Sequence, residues 1–197
     1  MTTKSLPRLV VLISGSGSNL QAILDACQSG YIPASVCAVV SNKSDAFGLE
    51  RARQSGVRVE ILIKRKDQDR LDYDRQLANR VESHHPDWVI LAGWMRLLSD
   101  VFLSRFPNRV INLHPALPGT FPGTEAIKRA FVAFQNHEIT QTGVMVHLVP
   151  DEGVDNGPLL AQEIILIHAE DSLTDLEKRV HHVEHRLLVE TVRNLVK

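Results

Sequence analysis

The sequence predicts an α/β fold with a Rossmann-like parallel sheet in its first half, a mixed-sheet C-terminal extension and a long terminal helix. Three observations support this prediction. Up to His114, short apolar segments alternate with helical patterns, which is typical of a parallel sheet covered on both faces. Two further apolar segments, around Val146 and Ile164, follow with no helix between them. Apolar residues then recur at helical spacing from Thr174 to Leu195, and we expect residues 1–197 to form a single domain.

Each predicted element follows from its local pattern. The continuous apolar segment at 9–13 predicts a strand that is buried on both faces. In chain order, the predicted strands are 9–13, 36–40, 57–63, 88–91, 110–114, 142–149 and 159–167. The predicted helices are 19–29, 45–54, 69–83, 123–136 and 174–195. Right-handed crossovers place the carboxyl ends of the parallel strands at one sheet edge, where ligands of open α/β sheets bind.

Composition narrows the classes of function. The net charge of −1 provides no basic field, so we expect small-molecule substrates and no nucleic-acid partner. No apolar stretch approaches the roughly 20 residues that span a bilayer, so no membrane partner is expected. The two cysteines, Cys27 and Cys37, do not resemble a disulfide framework and suit a reducing compartment. We therefore predict a cytoplasmic protein.

The first candidate motif is the turn Gly15–Asn19, between the first strand and the first helix. Glycines let the backbone turn sharply, and the free N–H groups of a first helical turn favour an anion. Leu20 stands where the dinucleotide fingerprint needs its third glycine, and no Gly-Lys-Ser/Thr ending follows, which disfavours NAD and ATP. The turn therefore predicts a site for a single phosphate monoester, with a purely structural turn as the alternative.

The second motif is Asn112-Leu113-His114-Pro115, at the end of the fifth strand. Strand alternation places Asn112 and His114 on one side, where an amide and an imidazole can hold a developing oxyanion. The alternative is a histidine bonded to local backbone beside an asparagine that begins a turn. A third motif, Asp151–Pro158, is either a hairpin turn or the source of a carboxylate near His114. Such a carboxylate would favour the imidazolium and orient the ring.

These motifs, in this order, resemble those of the glycinamide ribonucleotide formyltransferases of purine synthesis. The resemblance covers nearly the whole chain, from about residue 9 to about residue 190. The matching stretches are 10–23, Ser41-Asn42-Lys43, 46–52, 91–99, Asn112-Leu113-His114-Pro115 and Val154-Asp155-Asn156-Gly157-Pro158. The Gly-Ser-Gly-Ser-Asn-Leu turn is the more specific part, because it marks the branch whose substrate carries a ribose phosphate.

The resemblance implies formyl transfer from 10-formyltetrahydrofolate, used as a co-substrate, to the amine of the ribonucleotide, with no metal. Asn112 and His114 would be the catalytic pair, and Asp155 the carboxylate that raises the pKa of His114. The substrate phosphate would bind at Gly17, Ser18 and Asn19, and its glycinamide and ribose at Glu184 and His181. The folate would contact Arg70, Met95, Arg96, Leu97, Leu98, Asn112, Pro150, Asp151, Glu152, Gly153 and Val154. We expect a monomer or a weak homodimer.

Some positions depart from the family pattern, and other functions compete. Residues 117–119 read Leu-Pro-Gly where many members have Leu-Leu-Pro, Met145 replaces a small hydroxyl residue, and His181 replaces a more usual glutamine. A formyltetrahydrofolate hydrolase and a methionyl-tRNA formyltransferase usually carry an additional domain, for which we expect no room in this chain. A non-catalytic nucleotide-binding module would use the glycine turn without bringing Asn112, His114 and Asp155 together.

Overall fold

The computed structural model describes residues 5–197 and contains one seven-stranded sheet. Its strands are β1 (Arg8–Ile13), β2 (Ser35–Ser41), β3 (Val59–Ile61), β4 (Trp88–Leu91), β5 (Val110–His114), β6 (Gln141–Leu148) and β7 (Leu159–Leu166). The helices are α1 (Ser18–Gln28), α2 (Gly48–Gln54), α3 (Arg70–Glu82), α4 (Asp100–Leu103), α5 (Ala126–Gln135) and α6 (Leu173–Leu195). The strand order is β3-β2-β1-β4-β5-β6-β7, with β1 to β5 parallel and β6 and β7 antiparallel. The predicted fold class is confirmed.

Strand β1 is central because its side chains are apolar on both faces. Residues Leu9 to Ile13 are all fully buried. Leu9, Val11 and Ile13 pack in the core that α1 and α6 cover, whereas Val10 and Leu12 pack in the opposite core with α3 and α4. The sheet is therefore the middle layer of three, and this arrangement fixes which strand ends lie together at its edge.

Helix α6 is the longest helix, with 23 residues. Its first turn is closed by a capping box between Ser172 and Asp175, which satisfies backbone N–H groups reciprocally. The predicted apolar stripe is buried against the sheet at Leu176, Val180 and Leu188. Among residues 5–197, neither this helix nor any other has the length and apolarity needed to cross a membrane.

Four elements differ from the sequence prediction, and one of them is helix α2, which begins at Gly48 and not at Asp45. Strand β3 pairs over only three residues, so most of the predicted 57–63 segment is not part of the ladder. Helix α4 was not predicted, because four residues are too few to show a helical period. Helix α5 begins at Ala126 and not at Gly123, because Gly123 and Glu125 have φ of +79° and +55°, which are not α-helical.

Candidate active site

The turns that follow β1 and β4 are joined at the point where the strand order reverses. The Ser14 N–H donates to the Gly93 carbonyl at 3.0 Å, and the Met95 N–H donates to the Ser14 hydroxyl at 2.8 Å. Strands β1 and β4 are neighbours, while their following strands diverge to opposite sides of the sheet. Such a switch point opens a crevice at the carboxyl ends of the strands. The candidate phosphate turn and the predicted folate wall therefore border one crevice.

The Gly15–Asn19 turn has the geometry of an anion site. Gly17 is the N-cap of α1, with φ +70° and ψ 28°, and no side chain caps the helix there. The N–H groups at the start of α1 consequently have no helical acceptor. A Cβ atom at Gly17 would lie 2.5 Å from the Gly48 Cα, so both the φ value and the contact require glycine. The side-chain oxygen of Asn19 is buried and lacks a hydrogen-bond partner within the described residues.

Helix α2 orients this turn by bonding to two of its carbonyl groups. The Gly48 N–H donates to the Gly15 carbonyl at 3.1 Å, and Arg51 Nε donates to the Ser16 carbonyl at 2.9 Å. In a trans peptide, the carbonyl of one residue and the N–H of the next point in opposite directions. The bonds to α2 therefore direct the N–H groups of Ser16 and Gly17 away from α2. Arg51 adds a positive charge behind the same turn.

Asn112, His114 and Asp155 converge at the end of β5. Asp155 Oδ2 lies 3.3 Å from His114 Nδ1, and Asn112 Nδ2 donates to Asp155 Oδ1 at 2.9 Å. Asp155 adopts φ +51°, an uncommon conformation for a residue other than glycine that aims its carboxylate at both partners. His114 is 4% exposed. The convergence contradicts the view that the protein uses the glycine turn alone.

His147 completes this cluster, although the sequence analysis did not identify it. It lies directly across from Asn112 in the β5–β6 ladder and is 2% exposed. Its Nδ1 lies 2.8 Å from the Leu148 carbonyl, which can only accept, so Nδ1 carries a proton. In the neutral ring, Nε2 accepts from Asn112 Nδ2 at 3.3 Å. Nε2 also lies 3.5 Å from Asp155 Oδ1, to which a protonated ring would donate.

Burial sets the protonation state of His114. Desolvation lowers the pKa of His114 below its ordinary value of 6.5, although Asp155 and the Phe121 carbonyl act in the opposite direction. The net direction is opposite to the one expected from the sequence, because burial of the ring outweighs the carboxylate. For Asp155, burial alone would raise the pKa, but bonds from His147 and the Gly123 N–H and the charge of His114 lower it. Asp155 is therefore ionised beside a neutral ring at neutral pH.

Both ring nitrogens of His114 have partners inside the protein. Nε2 lies 3.0 Å from the Phe121 carbonyl, which only accepts, so Nε2 carries the proton of the neutral ring. Nδ1 lies 3.3 Å from Asp155 Oδ2, which also only accepts, so this contact becomes a hydrogen bond only when Nδ1 is protonated as well. The loop that carries Phe121 also contacts Asp155, because the Gly123 N–H donates to Oδ2 at 2.8 Å. Residues 121–123 therefore lie against both His114 and Asp155.

A cavity of about 420 Å³ opens beside these side chains and brings together most of the predicted folate residues. Its lining includes Met95, Arg96, Leu97, Leu98, Asn112, His114, Asp151, Glu152, Gly153, Val154 and Asp155. Met95 and Leu97 are 63% and 53% exposed, which leaves apolar surface at the rim. Trp94 also lines the cavity, and its buried Nε1 has no hydrogen-bond partner among the described residues.

Two predicted folate residues, Arg70 and Pro150, do not line the cavity. Arg70 instead pairs with Glu152 at 3.0 Å, at the edge of the cavity, and lies 4.0 Å from the buried Asp74. Glu152 also accepts a hydrogen bond from the Asp100 N–H at 3.0 Å. The pair therefore connects the 150–155 loop to α3 and α4, and it places a cation at one end of the cavity.

Glu184 and His181 form a pair on α6. Glu184 is buried, and its Oε2 lies 2.6 Å from His181 Nδ1. This hydrogen bond raises the pKa of His181 above its ordinary value. In the described part of the chain, no hydrogen bond joins either residue to the 17–19 turn. Helix α6 nevertheless packs along α1, and burial lowers the pKa of His185, with the charge of Arg51 acting in the same direction.

Local sequence patterns could not reveal every functional side chain. Ser14 follows β1, and its role depends on contact with the turn after β4. Arg51 reaches the glycine turn from a different helix. For His147 a signal was present, because the predicted strand 142–149 runs beside the Asn112 strand and carries a histidine. Only the strand register shows that the two residues are partners.

Comparison with known proteins identifies the family. Residues 7–192 match the formyl transferase family. A phosphoribosylglycinamide formyltransferase of Escherichia coli K12 is 45% identical over 179 residues, covering 91% of this chain and 82% of that protein. A protein of the same name from Dictyostelium discoideum is 42% identical over 200 residues, covering 95% and 97%. The crystal structure of glycinamide ribonucleotide transformylase 1 from Symbiobacterium toebii superposes with a TM-score of 0.90 at 42% identity, covering 97% of this chain and 88% of that one. The chain therefore belongs to the formyl transferase family, among the phosphoribosylglycinamide formyltransferases, and is an enzyme.

Proposed function

We propose that this enzyme transfers the formyl group of 10-formyltetrahydrofolate to the amine of N1-(5-phosphoribosyl)glycinamide, a step of purine synthesis. The observation that carries the proposal is the convergence of Asn112, His114 and Asp155 at the mouth of the cavity. Once they exchange their internal partners, the N–H groups of His114 and Asn112 would donate to a carbonyl oxygen that develops negative charge, which is the arrangement that acyl transfer requires.

The cavity supports a folate as the formyl donor. The exposed apolar side chains of Met95 and Leu97 provide surface that an aromatic ring system would bury. At the edge, Arg70 supplies a cation suited to the carboxylates of the folate tail. Donors and apolar surface are thus distributed as a bicyclic ring with an acidic tail requires.

The glycine turn supports a phosphorylated acceptor. Its free N–H groups, the positive end of α1 and Arg51 all favour an anion at the same place. Glu184 supports recognition of the rest of the acceptor, because its buried carboxylate would accept from ribose hydroxyls or the glycinamide N–H groups. The acceptor amine would then lie between the turn and His114.

The proposed reaction is a direct attack. The lone pair of the neutral amine forms a bond to the formyl carbon, and the carbonyl electron pair moves to the oxygen. His114 Nε2–H and Asn112 Nδ2–H donate to this oxyanion, with the formyl oxygen replacing the Phe121 carbonyl as the acceptor of His114. When the bond from carbon to N10 breaks, N10 gains a proton and the new amide nitrogen loses one, through a water molecule beside Asp155. The negative charge of the oxyanion favours a second proton on His114 at Nδ1, next to Asp155.

An absorbance assay of the folate product tests the proposal. The purified protein is given 10-formyltetrahydrofolate with the ribonucleotide, with the dephosphorylated riboside, or with no acceptor. We expect rapid product formation with the ribonucleotide, slow formation with the riboside, and none without an acceptor. Equal rates in all three reactions would show hydrolysis of the folate and would contradict the proposal. A His114→Ala variant serves as the background control.

A further inference from the structure

Residues 121–123 contact His114 and Asp155 in a backbone conformation that other contacts must stabilise. Phe121 adopts φ +45°, which is unusual for a large aromatic residue. Such backbone persists only where the surroundings impose it. The donors that meet its carbonyl are His114 Nε2, at 3.0 Å, and Arg129 Nη2, at 2.7 Å. Arg129 Nη2 also donates to the Pro122 carbonyl at 2.5 Å.

Arg129 lies outside the cavity that we assign to the folate. It projects from α5 and lines a separate shallow depression with Phe121 and Lys128. Its guanidinium is 5.9 Å from the centre of the Phe121 ring, so it contacts the side chain as well as the carbonyl of this residue. Arg129 therefore affects the site only through the loop and through its charge.

We propose that Arg129 is a positioning residue that allows His114 to change its hydrogen-bond acceptor. In the structure, the Phe121 carbonyl accepts from both His114 and Arg129. When His114 donates to the formyl oxygen, Arg129 continues to satisfy that carbonyl. Without Arg129, the carbonyl would lose its remaining donor within the protein at this moment, and the left-handed Phe121 backbone would lose a contact that supports it. The kinetic part of this inference rests on the proposed function.

The charges around His114 determine how the inference can be tested. Asp155, His147 and Arg129 are the charged or titratable groups that influence its ring. Asp155 and the bond to the Phe121 carbonyl raise the pKa of His114, whereas Arg129 and His147 lower it. Removal of Arg129 takes away a nearby cation and leaves the carbonyl to His114 alone. Both changes act in the same direction and raise the pKa of His114.

The experiment compares Arg129→Ala with Lys128→Ala as a matched control. Lys128 is the preceding residue of α5, and its ammonium pairs with Glu125 at 3.5 Å on the surface. His114 is titrated by NMR in each variant, and thermal unfolding verifies the fold. For Arg129→Ala we expect an upward shift of the His114 pKa. We also expect roughly tenfold lower kcat with unchanged KM for both substrates, as for a step that would strand one acceptor. Lys128→Ala should match the wild type in both measurements.

An Arg129→Lys variant separates positioning from loss of folding. Its ammonium can still donate to the Phe121 carbonyl, so we expect most of the turnover and the original His114 titration to return. An unchanged or lower His114 pKa in Arg129→Ala would overturn the inference, as would an equal loss of turnover in Lys128→Ala. If the wild type transfers no formyl group, the proposed function fails, while the titration still decides whether Arg129 acts on His114.

Discussion

The glycine turn and the proposed catalytic pair, Asn112 and His114, differ in how ready they are to bind a ligand. The turn is built from backbone, and its carbonyls are bonded to α2 so that its N–H groups remain free. The catalytic pair is built from side chains, and its donors are already bonded to Asp155, His147 and the Phe121 carbonyl. The first region needs no rearrangement to bind an anion, whereas the second must exchange internal partners for the formyl oxygen. We infer that phosphate binding is preorganised and that the catalytic donors are released only with the folate.

The largest effects are expected at His114 and at Asp155, the carboxylate beside it. His114→Ala and Asp155→Asn should each lower kcat on the order of 100- to 1000-fold, the usual loss when an oxyanion donor or its orienting partner is removed. KM for the ribonucleotide should change little, because the turn is a separate structure. Steady-state kinetics measure both, with His168→Ala, an exposed histidine, as the control. Near-normal turnover in either variant would contradict the catalytic assignment.

Gly17→Ala tests the turn. A Cβ atom there would lie 2.5 Å from the Gly48 Cα, so the turn must move. We expect kcat/KM for the ribonucleotide to fall about 100-fold, as for a displacement of about 1 Å. The riboside should be affected far less. Gly30→Ala is the control, because Gly30 has a similar φ of +76° but open space around it. An equal loss in both variants would mean that general strain, and not the turn, is responsible.

Arg51→Ala tests the support that α2 gives to the turn. Loss of the bond to the Ser16 carbonyl and of the charge should raise KM for the ribonucleotide about 5- to 10-fold, as expected for one such interaction. Turnover at saturation should be retained. Arg53→Ala is the matched control, since Arg53 lies on the same helix and pairs with Glu50 on the surface. The same KM in both variants would show that Arg51 does not support binding of the ribonucleotide.

The smallest effect is a pH dependence of stability. Because burial lowers the pKa of His114, the unfolded chain binds more protons than the folded one between that lowered value and 6.5. His114 therefore stabilises the fold fully above pH 6.5, and this contribution is lost as pH falls through its folded pKa. Denaturant unfolding across this range should show a shallower loss in His114→Gln than in the wild type. A steeper loss of stability in the variant as pH falls would show that folding raises the pKa of His114, which would contradict the prediction.

The sequence predicts the glycine turn better than the region around Asn112 and His114, for physical reasons. The glycine turn and the apolar β1 are local, so their residue types indicate their structure. The left-handed conformation of Phe121 and the Asn112–His147 register depend on contacts between distant segments. Local patterns do not encode such contacts.

The protonation of His114 shows the same limit. Asp155 was correctly expected near the ring, but burial and the carboxylate act in opposite directions on its pKa. Residue types alone do not show which effect is larger, because the degree of burial comes from the packing of the whole site. The sequence therefore predicts which side chains meet at this site and not their charge state.

The central claim is that the N–H donor of His114 is bonded to an internal partner. Its most direct test is the tautomer of His114, which is measured from the imidazole nitrogen-15 chemical shifts. At neutral pH and without added substrates, we predict a neutral His114 ring with its proton on Nε2, bonded to the Phe121 carbonyl. An imidazolium, or a neutral ring with its proton on Nδ1, would contradict it.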